Sequence, residues 1–330
     1  MKTRHVALKQ APDGMPSLND FQIIEAELPD LKPGEALIEN LYMSVDPYMR
    51  GMMRAGASDP PAPLSGGAVG RVVRSRLDGL PEGCVVLTGS GWREHFITDS
   101  AGHERVYELS APLSAYLGVL GMPGFTAWYG LNRIGRPQAG ETLVVSAGAG
   151  AVGSLVGQLG KRAGCRVVGV VGSEEKRRYA LETLGYDAAL NWRKGGLGAA
   201  LSEACPEGID IYFENVGGAL LEAVLDRINF GARIPVCGMI SQYNLKEPEP
   251  GPSNLFQLIG RRAEMKGYII SDHGELKPQF LEEVAPLVAD GSVQYSETIS
   301  DGLESAPQAF IDLFLGRNIG KMAVKLNDEA

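Results

Sequence analysis

From about residue 125 onward, short apolar runs alternate with longer amphipathic stretches, and this alternation predicts most of the fold. Strands are predicted near 142–147, 166–171, 188–191, 209–214, 233–237 and 264–270, with helices near 151–163, 174–184, 197–204 and 218–229. Strands that alternate with helices in this order read as a doubly wound parallel α/β sheet with right-handed crossovers. The first 120 or so residues have a different texture: β-type runs such as 35–40, 68–73 and 84–87, broken by Gly and Pro. That pattern predicts a small all-β barrel or sandwich. After Gly291 the pattern turns back, with a strand near 294–299, a helix near 303–315 and a last strand near 322–326. The expected division is a β-rich domain over 1–124, a doubly wound α/β domain over 125–292, and a segment over 293–330 that returns to the first domain.

Composition narrows the class without changing this layout. The chain has 330 residues, 44% of them hydrophobic, and a net charge of −9 from 31 Lys and Arg against 40 Asp and Glu. Two domains suit that length. The acidic balance, with no long basic block, argues against a nucleic-acid surface. No run of about 18 apolar residues exists to cross a membrane, and the N-terminal residues lack a signal-type apolar core, so a cytoplasmic location is expected. Cys84, Cys165, Cys205 and Cys237 lie far apart, and neither they nor His5, His95, His103 and His273 show metal-ligand spacing. Metal-free chemistry is the working expectation.

The candidate chemistry starts at Gly148-Ala149-Gly150-Ala151-Val152-Gly153-Ser154, a complete G-x-G-x-x-G between a predicted strand and a predicted helix. In such a turn the first glycine permits the tight bend, the second lets the backbone approach a pyrophosphate, and the third lets the helix pack close to the strand. A glycine-rich packing turn with no ligand is the competing reading. About 20 residues on, an NAD-binding fold usually carries a carboxylate for the ribose 2′-hydroxyl. Here that place reads Gly172-Ser173, with Lys176 in the first turn of the next helix. A small residue with a nearby ammonium suits a 2′-phosphate and favours NADP(H). Glu174 and Glu175 oppose this unless they point away, and Lys176 also reads as an ordinary solvated lysine. Three further segments fall at the carboxyl ends of successive strands: Glu214 to Gly218, Cys237 to Tyr243, and Gly267 to Ile270. There they would line the nicotinamide half of a groove.

Taken together, these residues resemble a known family: the zinc-free medium-chain dehydrogenase/reductases of the prostaglandin (leukotriene) reductase and plant double-bond reductase type. Bacterial curcumin-type NADP-dependent reductases look closest. The resemblance covers nearly the whole chain. It rests on Val45 to Arg50, Gly121 to Ala127, Gly150 to Gln158, Glu214 to Gly218, Cys237 to Tyr243 and Asn318 to Lys321. It implies a GroES-like first domain beside the Rossmann domain, a homodimer, and NADPH-dependent reduction of the carbon–carbon double bond of an α,β-unsaturated ketone or aldehyde.

Carried over by position, the resemblance implies that Gly148, Gly150, Ala151, Val152, Gly153 and Ser154 meet the pyrophosphate. Ser173 and Lys176 would serve the 2′-phosphate, and Trp192 would take the family's usual tyrosine place. Asn215, Cys237, Gly238, Ile240, Ser241, Tyr268, Ile269, Ile270 and Asn318 would complete the nicotinamide and ribose contacts. Trp192 is a departure, because an indole only donates one hydrogen bond. Tyr243 is the family's candidate donor to the substrate oxygen, and Tyr48 is a second candidate that shapes the pocket. Each also reads as packing, Tyr243 on the cofactor and Tyr48 at a bend after Pro47. Whether the α-carbon proton comes from Tyr243 or solvent stays open at this level. The competing functions are a quinone reductase or alcohol dehydrogenase of the same superfamily, and an NADPH-binding protein without turnover.

Overall fold

The computed structural model describes residues 1–100, 103–106 and 111–329. Its contacts divide the chain into two compact units, Met1–Leu117 with Glu297–Ala330, and Gly118–Ser296. The first unit begins with β1 (Lys2–Leu8), β2 (Phe21–Glu27), β3 (Ala36–Ser44), α1 (Met49–Met52), β4 (Ala68–Ser75), β5 (Val85–Thr88), β6 (His95–Thr98) and β7 (Glu104–Arg105). The second comprises α2 (Met122–Tyr129), β8 (Thr142–Ser146), α3 (Gly153–Arg162), β9 (Arg166–Val171), α4 (Glu174–Arg178), β10 (Ala188–Asn191), α5 (Leu197–Ala204), β11 (Ile209–Phe213), α6 (Gly218–Leu225), β12 (Ile228–Val236), α7 (Gln257–Arg261), β13 (Glu264–Gly267) and α8 (Lys277–Ala289). The chain then re-enters the first unit with β14 (Glu297–Asp301), α9 (Ala306–Leu315) and β15 (Lys321–Lys325).

In the first unit the main sheet runs β14-β15-β3-β4-β5-β7, with β6 also pairing with β3. All of these pairings are antiparallel except β14 with β15. One core cluster gathers Trp92, Phe21 and Phe310, with Phe310 donated by α9. Trp92 stacks on Phe21 at 6.2 Å and meets Phe310 edge-on at 5.9 Å, a geometry that aromatic quadrupoles favour.

The second unit is the doubly wound sheet that the alternation predicts. Its strands run β10-β9-β8-β11-β12-β13, and every pairing is parallel. The central strands are buried along almost their whole length, as expected of a parallel sheet covered on both faces. The chain winds outward from β8 through β9 to β10, then returns to β11 and winds the other way. The order therefore reverses between β8 and β11, and ligands of such sheets bind in the crevice beyond that reversal.

Several boundaries differ from the sequence expectation for identifiable reasons. The helix expected to reach residue 229 stops at Leu225, because Ile228 already pairs with Ile209 in the sheet. The stretch 174–184 is α-helical only to Arg178 and then widens into a π-type turn over Tyr179–Thr183. β13 ends at Gly267, and Ile270 opens a 3-10 turn instead of extending the strand. The strand expected from residue 294 begins at Glu297, because the Gln158 side chain on α3 holds the Gln294 backbone on both sides, at 2.7 and 2.8 Å. α8 was not singled out by the pattern; it carries Pro286 in its interior, a residue that ordinarily argues against a helix.

Candidate active site

The phosphate cradle is built by the end of β8 and the start of α3. Ala147 adopts a left-handed conformation at φ 50°, which turns the chain sharply after the strand. The Gly150 amide donates back to the Ala147 carbonyl at 2.9 Å, and the Gly148 amide reaches Val170 O on β9 at 3.1 Å. A Cβ on Gly153 would lie 2.4 Å from Ala147 O and 2.9 Å from Gly148 Cα, so no side chain fits there. Gly148, Gly150, Ala151, Val152, Gly153 and Ser154 thus form one continuous turn capped by the first residues of α3. Unpaired amides at a helix start attract anions.

At the end of β9 the residues fit a second anion. Ser173 caps α4 by accepting the Lys176 amide at 3.2 Å. A Cβ on Gly172 would stand 3.3 Å from the Trp192 indole nitrogen and 3.8 Å from Arg193 Nε, so this glycine keeps the floor open beneath an indole and a guanidinium. The Arg193 guanidinium lies 5.5 Å from the Trp192 ring centre. Burial and the neighbouring Arg193 both push the Lys176 ammonium below its ordinary pKa. A phosphate placed between two neighbouring cations would ease their mutual repulsion. Glu174, which threatened a phosphate on sequence grounds, is occupied elsewhere: it pairs with Arg177 at 2.9 Å and Lys194 at 3.0 Å, and these contacts hold its carboxyl down at about 2.

At the sheet reversal, Glu214 organises the loop after β11. Its fully buried carboxylate accepts the amides of Val216 at 2.6 Å and Gly217 at 3.0 Å, and Ser146 Oγ lies 3.1 Å away. Burial raises its pKa, and the hydrogen bonds counteract that shift. Asn215 is held against β8 by its amide to Ser146 Oγ and its side chain to Ser146 O, both at 2.7 Å. Glu214→Ala should therefore lower unfolding stability by about 3 kcal/mol, since buried amides would lose their acceptors, while Glu214→Gln should cost about 1 kcal/mol. Urea unfolding monitored by circular dichroism measures both, and equal losses would show that the carboxylate contacts contribute little.

The loop after β12 packs on this one. The Cys237 and Gly238 amides donate to Glu214 O, the Ile240 amide to Asn215 O, and Ser241 Oγ to Val216 O at 2.6 Å. Burial pushes the Cys237 thiol up to about 12, so it is an unreactive neutral group. Tyr243 Oη accepts the Met239 amide at 3.2 Å, which leaves the phenolic proton available to another acceptor. A Cβ on Gly238 would come 3.0 Å from that oxygen. Burial raises the Tyr243 pKa, so the group stays protonated through the neutral range. Tyr268 differs: its hydroxyl donates to Thr126 O at 2.9 Å and its ring packs 5.4 Å from Tyr129. Ile269 is 67% exposed, and Ile270 begins the 3-10 turn.

Tyr48 and Asn318 belong to the first unit. Tyr48 caps α1, and burial together with the Asp46 carboxylate pushes its phenol up to about 12. Asp46 accepts from Ser44 Oγ and pairs with the buried Lys321 ammonium at 3.2 Å. Lys321 also donates to Val45 O at 2.8 Å and Met322 O at 2.6 Å. The buried Asn318 amide donates to Gly320 O at 2.8 Å, closing its own turn.

This geometry agrees with what the chain is similar to. Residues 4–106 match the family model described as an N-terminal domain of oxidoreductase, and residues 151–287 match the one described as a zinc-binding dehydrogenase. The NADPH-dependent curcumin reductase of Escherichia coli is 43% identical, over 98% of this chain and 97% of its own length. The NADP(+)-dependent 2-alkenal reductase of Nicotiana tabacum is 42% identical over 100% and 99%. A crystal structure of CurA from Vibrio vulnificus in complex with NADPH superposes with a TM-score of 0.91, at 41% identity, covering 98% of this chain and 99% of that one. The chain belongs to the enone and alkenal reductase group of the medium-chain dehydrogenase/reductases.

Against this family, two residues escaped the sequence reading. Arg193 follows Trp192 directly, and the adjacent Trp-Arg-Lys run after β10 was a usable signal for a second cation near Lys176. Glu214 sat inside a recognised motif but gave no sign that its side chain, rather than its backbone, holds the loop.

Proposed function

We propose that this enone and alkenal reductase relative uses NADPH to reduce the carbon–carbon double bond of α,β-unsaturated ketones and aldehydes. The observation that carries this reading is the full-length likeness to two reductases whose names share NADP(H) and, for one, 2-alkenals, which are α,β-unsaturated aldehydes. The cradle, which leaves no room for a side chain at Gly153, and the cations Lys176 and Arg193 near the end of β9 support the cofactor, because both suit phosphate groups.

When bound, NADPH supplies the hydride that adds to the β-carbon of the alkene. Electron density then gathers on the carbonyl oxygen, where a hydrogen-bond donor contributes most. Tyr243 is our candidate for that donor, since its oxygen already accepts from Met239 and its raised pKa keeps the proton in place. Gly148 to Ser154 would hold the pyrophosphate, and Ser173, Lys176, Trp192 and Arg193 the 2′-phosphate. Asn215 and residues 237–241 would frame the nicotinamide side. Tyr48 is our second candidate for a residue that meets the substrate. Metal-independence is part of this reading, because Asp46 is already neutralised by Lys321.

The test is product analysis with a panel of enals, enones, quinones and alcohols. The expected result is NADPH consumption with a saturated aldehyde or ketone as product. An allylic alcohol, or turnover of quinones alone, would overturn the double-bond assignment, and no consumption would favour a cofactor-binding protein.

The same reading includes a homodimer formed at the free edge of the second unit's sheet. β13 is the terminal strand, and Phe230 (71% exposed), Phe256 (65%) and Ile259 (81%) lie on or beside β12 and α7, which pack together. Such a patch rarely stays in water. Ile259→Glu with Phe256→Asp should shift sedimentation from dimer to monomer at micromolar concentration; an unchanged sedimentation coefficient would reject this interface. Among the described residues no helix is long and apolar enough to cross a membrane. A cytoplasmic location fits four cysteines that all remain free thiols, and cell fractionation tests it.

A further inference from the structure

The ends of the phosphate cradle are tied together from beneath by one side chain. Tyr186 follows the π-type turn after α4 and is almost fully buried. Its hydroxyl lies 2.9 Å from the carbonyl oxygen of Gly148 and 2.6 Å from that of Gly153, the first and last glycines of the motif. The backbone amide of Gly157, one turn into α3, faces the same oxygen. The ring occupies space that side chains would otherwise fill. A Cβ on Gly157 would lie 2.1 Å from Tyr186 Cζ, and one on Gly169 of β9 would lie 2.7 Å from Cδ2.

We infer that Tyr186 is a positioning residue for the coenzyme: its single phenolic proton, shared between the Gly148 and Gly153 carbonyls, ties the two ends of the glycine turn together and so fixes the span presented to the pyrophosphate. The inference rests on the NADPH reading above. A carbonyl that rotates carries its peptide plane with it, so releasing Gly148 O would free the Ala149 amide on the other side of that plane, while the Ser154 amide stays bonded to Gly150 O at 3.0 Å. A cradle that is no longer preorganised would then lose conformational entropy on binding the anion. The ring alone would still fill the space beneath Gly157 and Gly169, which separates the clamp from packing.

Tyr186→Phe keeps that ring and removes the hydroxyl. The dissociation constants of NADPH and NADH should both rise, by about the same factor of ten, the equivalent of one well-placed buried hydrogen bond. The turnover number at saturating NADPH should stay at the parent value, so the effect falls on KM for the coenzyme and not on kcat. Adenosine 2′-monophosphate, which has no pyrophosphate, should inhibit parent and variant equally, and that equality also shows that the variant is folded. Parent-like NADPH affinity in Tyr186→Phe overturns the clamp, and so does an equal loss for adenosine 2′-monophosphate, which would mark general damage. A parent that binds no NADPH at all overturns the coenzyme reading and the clamp with it, whereas a binding parent confines any failure to the clamp.

Discussion

Replacing Lys176 and Arg193 together with alanine is expected to raise the dissociation constant of NADPH by about 100-fold, while that of NADH changes less than about threefold. Arg193 lies beside Gly172, and burial together with repulsion from the nearby Arg193 charge pushes the Lys176 ammonium below its ordinary pKa in the free protein. A 2′-phosphate would relieve that repulsion and accept charge-assisted hydrogen bonds, each contributing roughly 1.5–3 kcal/mol. Two such bonds exceed 2.8 kcal/mol, and each 1.4 kcal/mol is about a factor of ten. The single variants should each cost about tenfold, with Lys176→Ala the larger, because the Lys176 ammonium is the more buried and less screened of the two. Titration calorimetry with both coenzymes reads the result. Equal losses for NADPH and NADH would place neither cation at the 2′-phosphate.

The second large effect concerns turnover. Tyr243→Phe is expected to lower kcat for a 2-alkenal by about 100- to 1,000-fold, the usual consequence of removing one donor from a developing oxyanion. NADPH affinity should stay within about twofold of the parent, since the Tyr243 oxygen contacts the Met239 amide and not the cradle. The sign of the pKa shift adds a pH test. Burial raises the Tyr243 pKa, so its proton is retained past the ordinary tyrosine value of about 10, and kcat should not fall on that account below it. Steady-state rates at saturating coenzyme measure both outcomes. A Phe variant with parental kcat would remove Tyr243 from the catalytic assignment and leave it a packing residue on the loop.

The legible parts of this molecule are those whose physics is local. The Gly148 to Ser154 turn could be read because a phosphate cradle is contiguous: strand, glycines and helix start follow one another, and Gly150 and Gly153 answer to Ala147 within a few residues. The parallel sheet was legible for the same reason, since strands buried on both faces become unbroken apolar runs. The boundary at Ile228 was not, because no glycine or proline marks it; the strand starts there only because Ile209, about 20 residues earlier, offers a partner. The objection raised by Glu174 also could not be resolved in one dimension. Whether a carboxylate repels a phosphate depends on where it points, and Lys194, 20 residues later, turns it away.

By itself, then, the order of residues determined the sheet, the winding direction, the cradle and the family. Those follow from hydrophobic period, chirality and glycine geometry, all short-range properties of the chain. Only the tertiary structure decided which side chains support the site: Glu214 under its loop, Lys321 against Asp46, Arg193 beside Lys176, and Tyr186 beneath the glycines 33 and 38 residues away. Their roles depend on burial and on charges brought close by folding, and a hydroxyl or carboxylate gains its energetic weight only once water has been removed from around it.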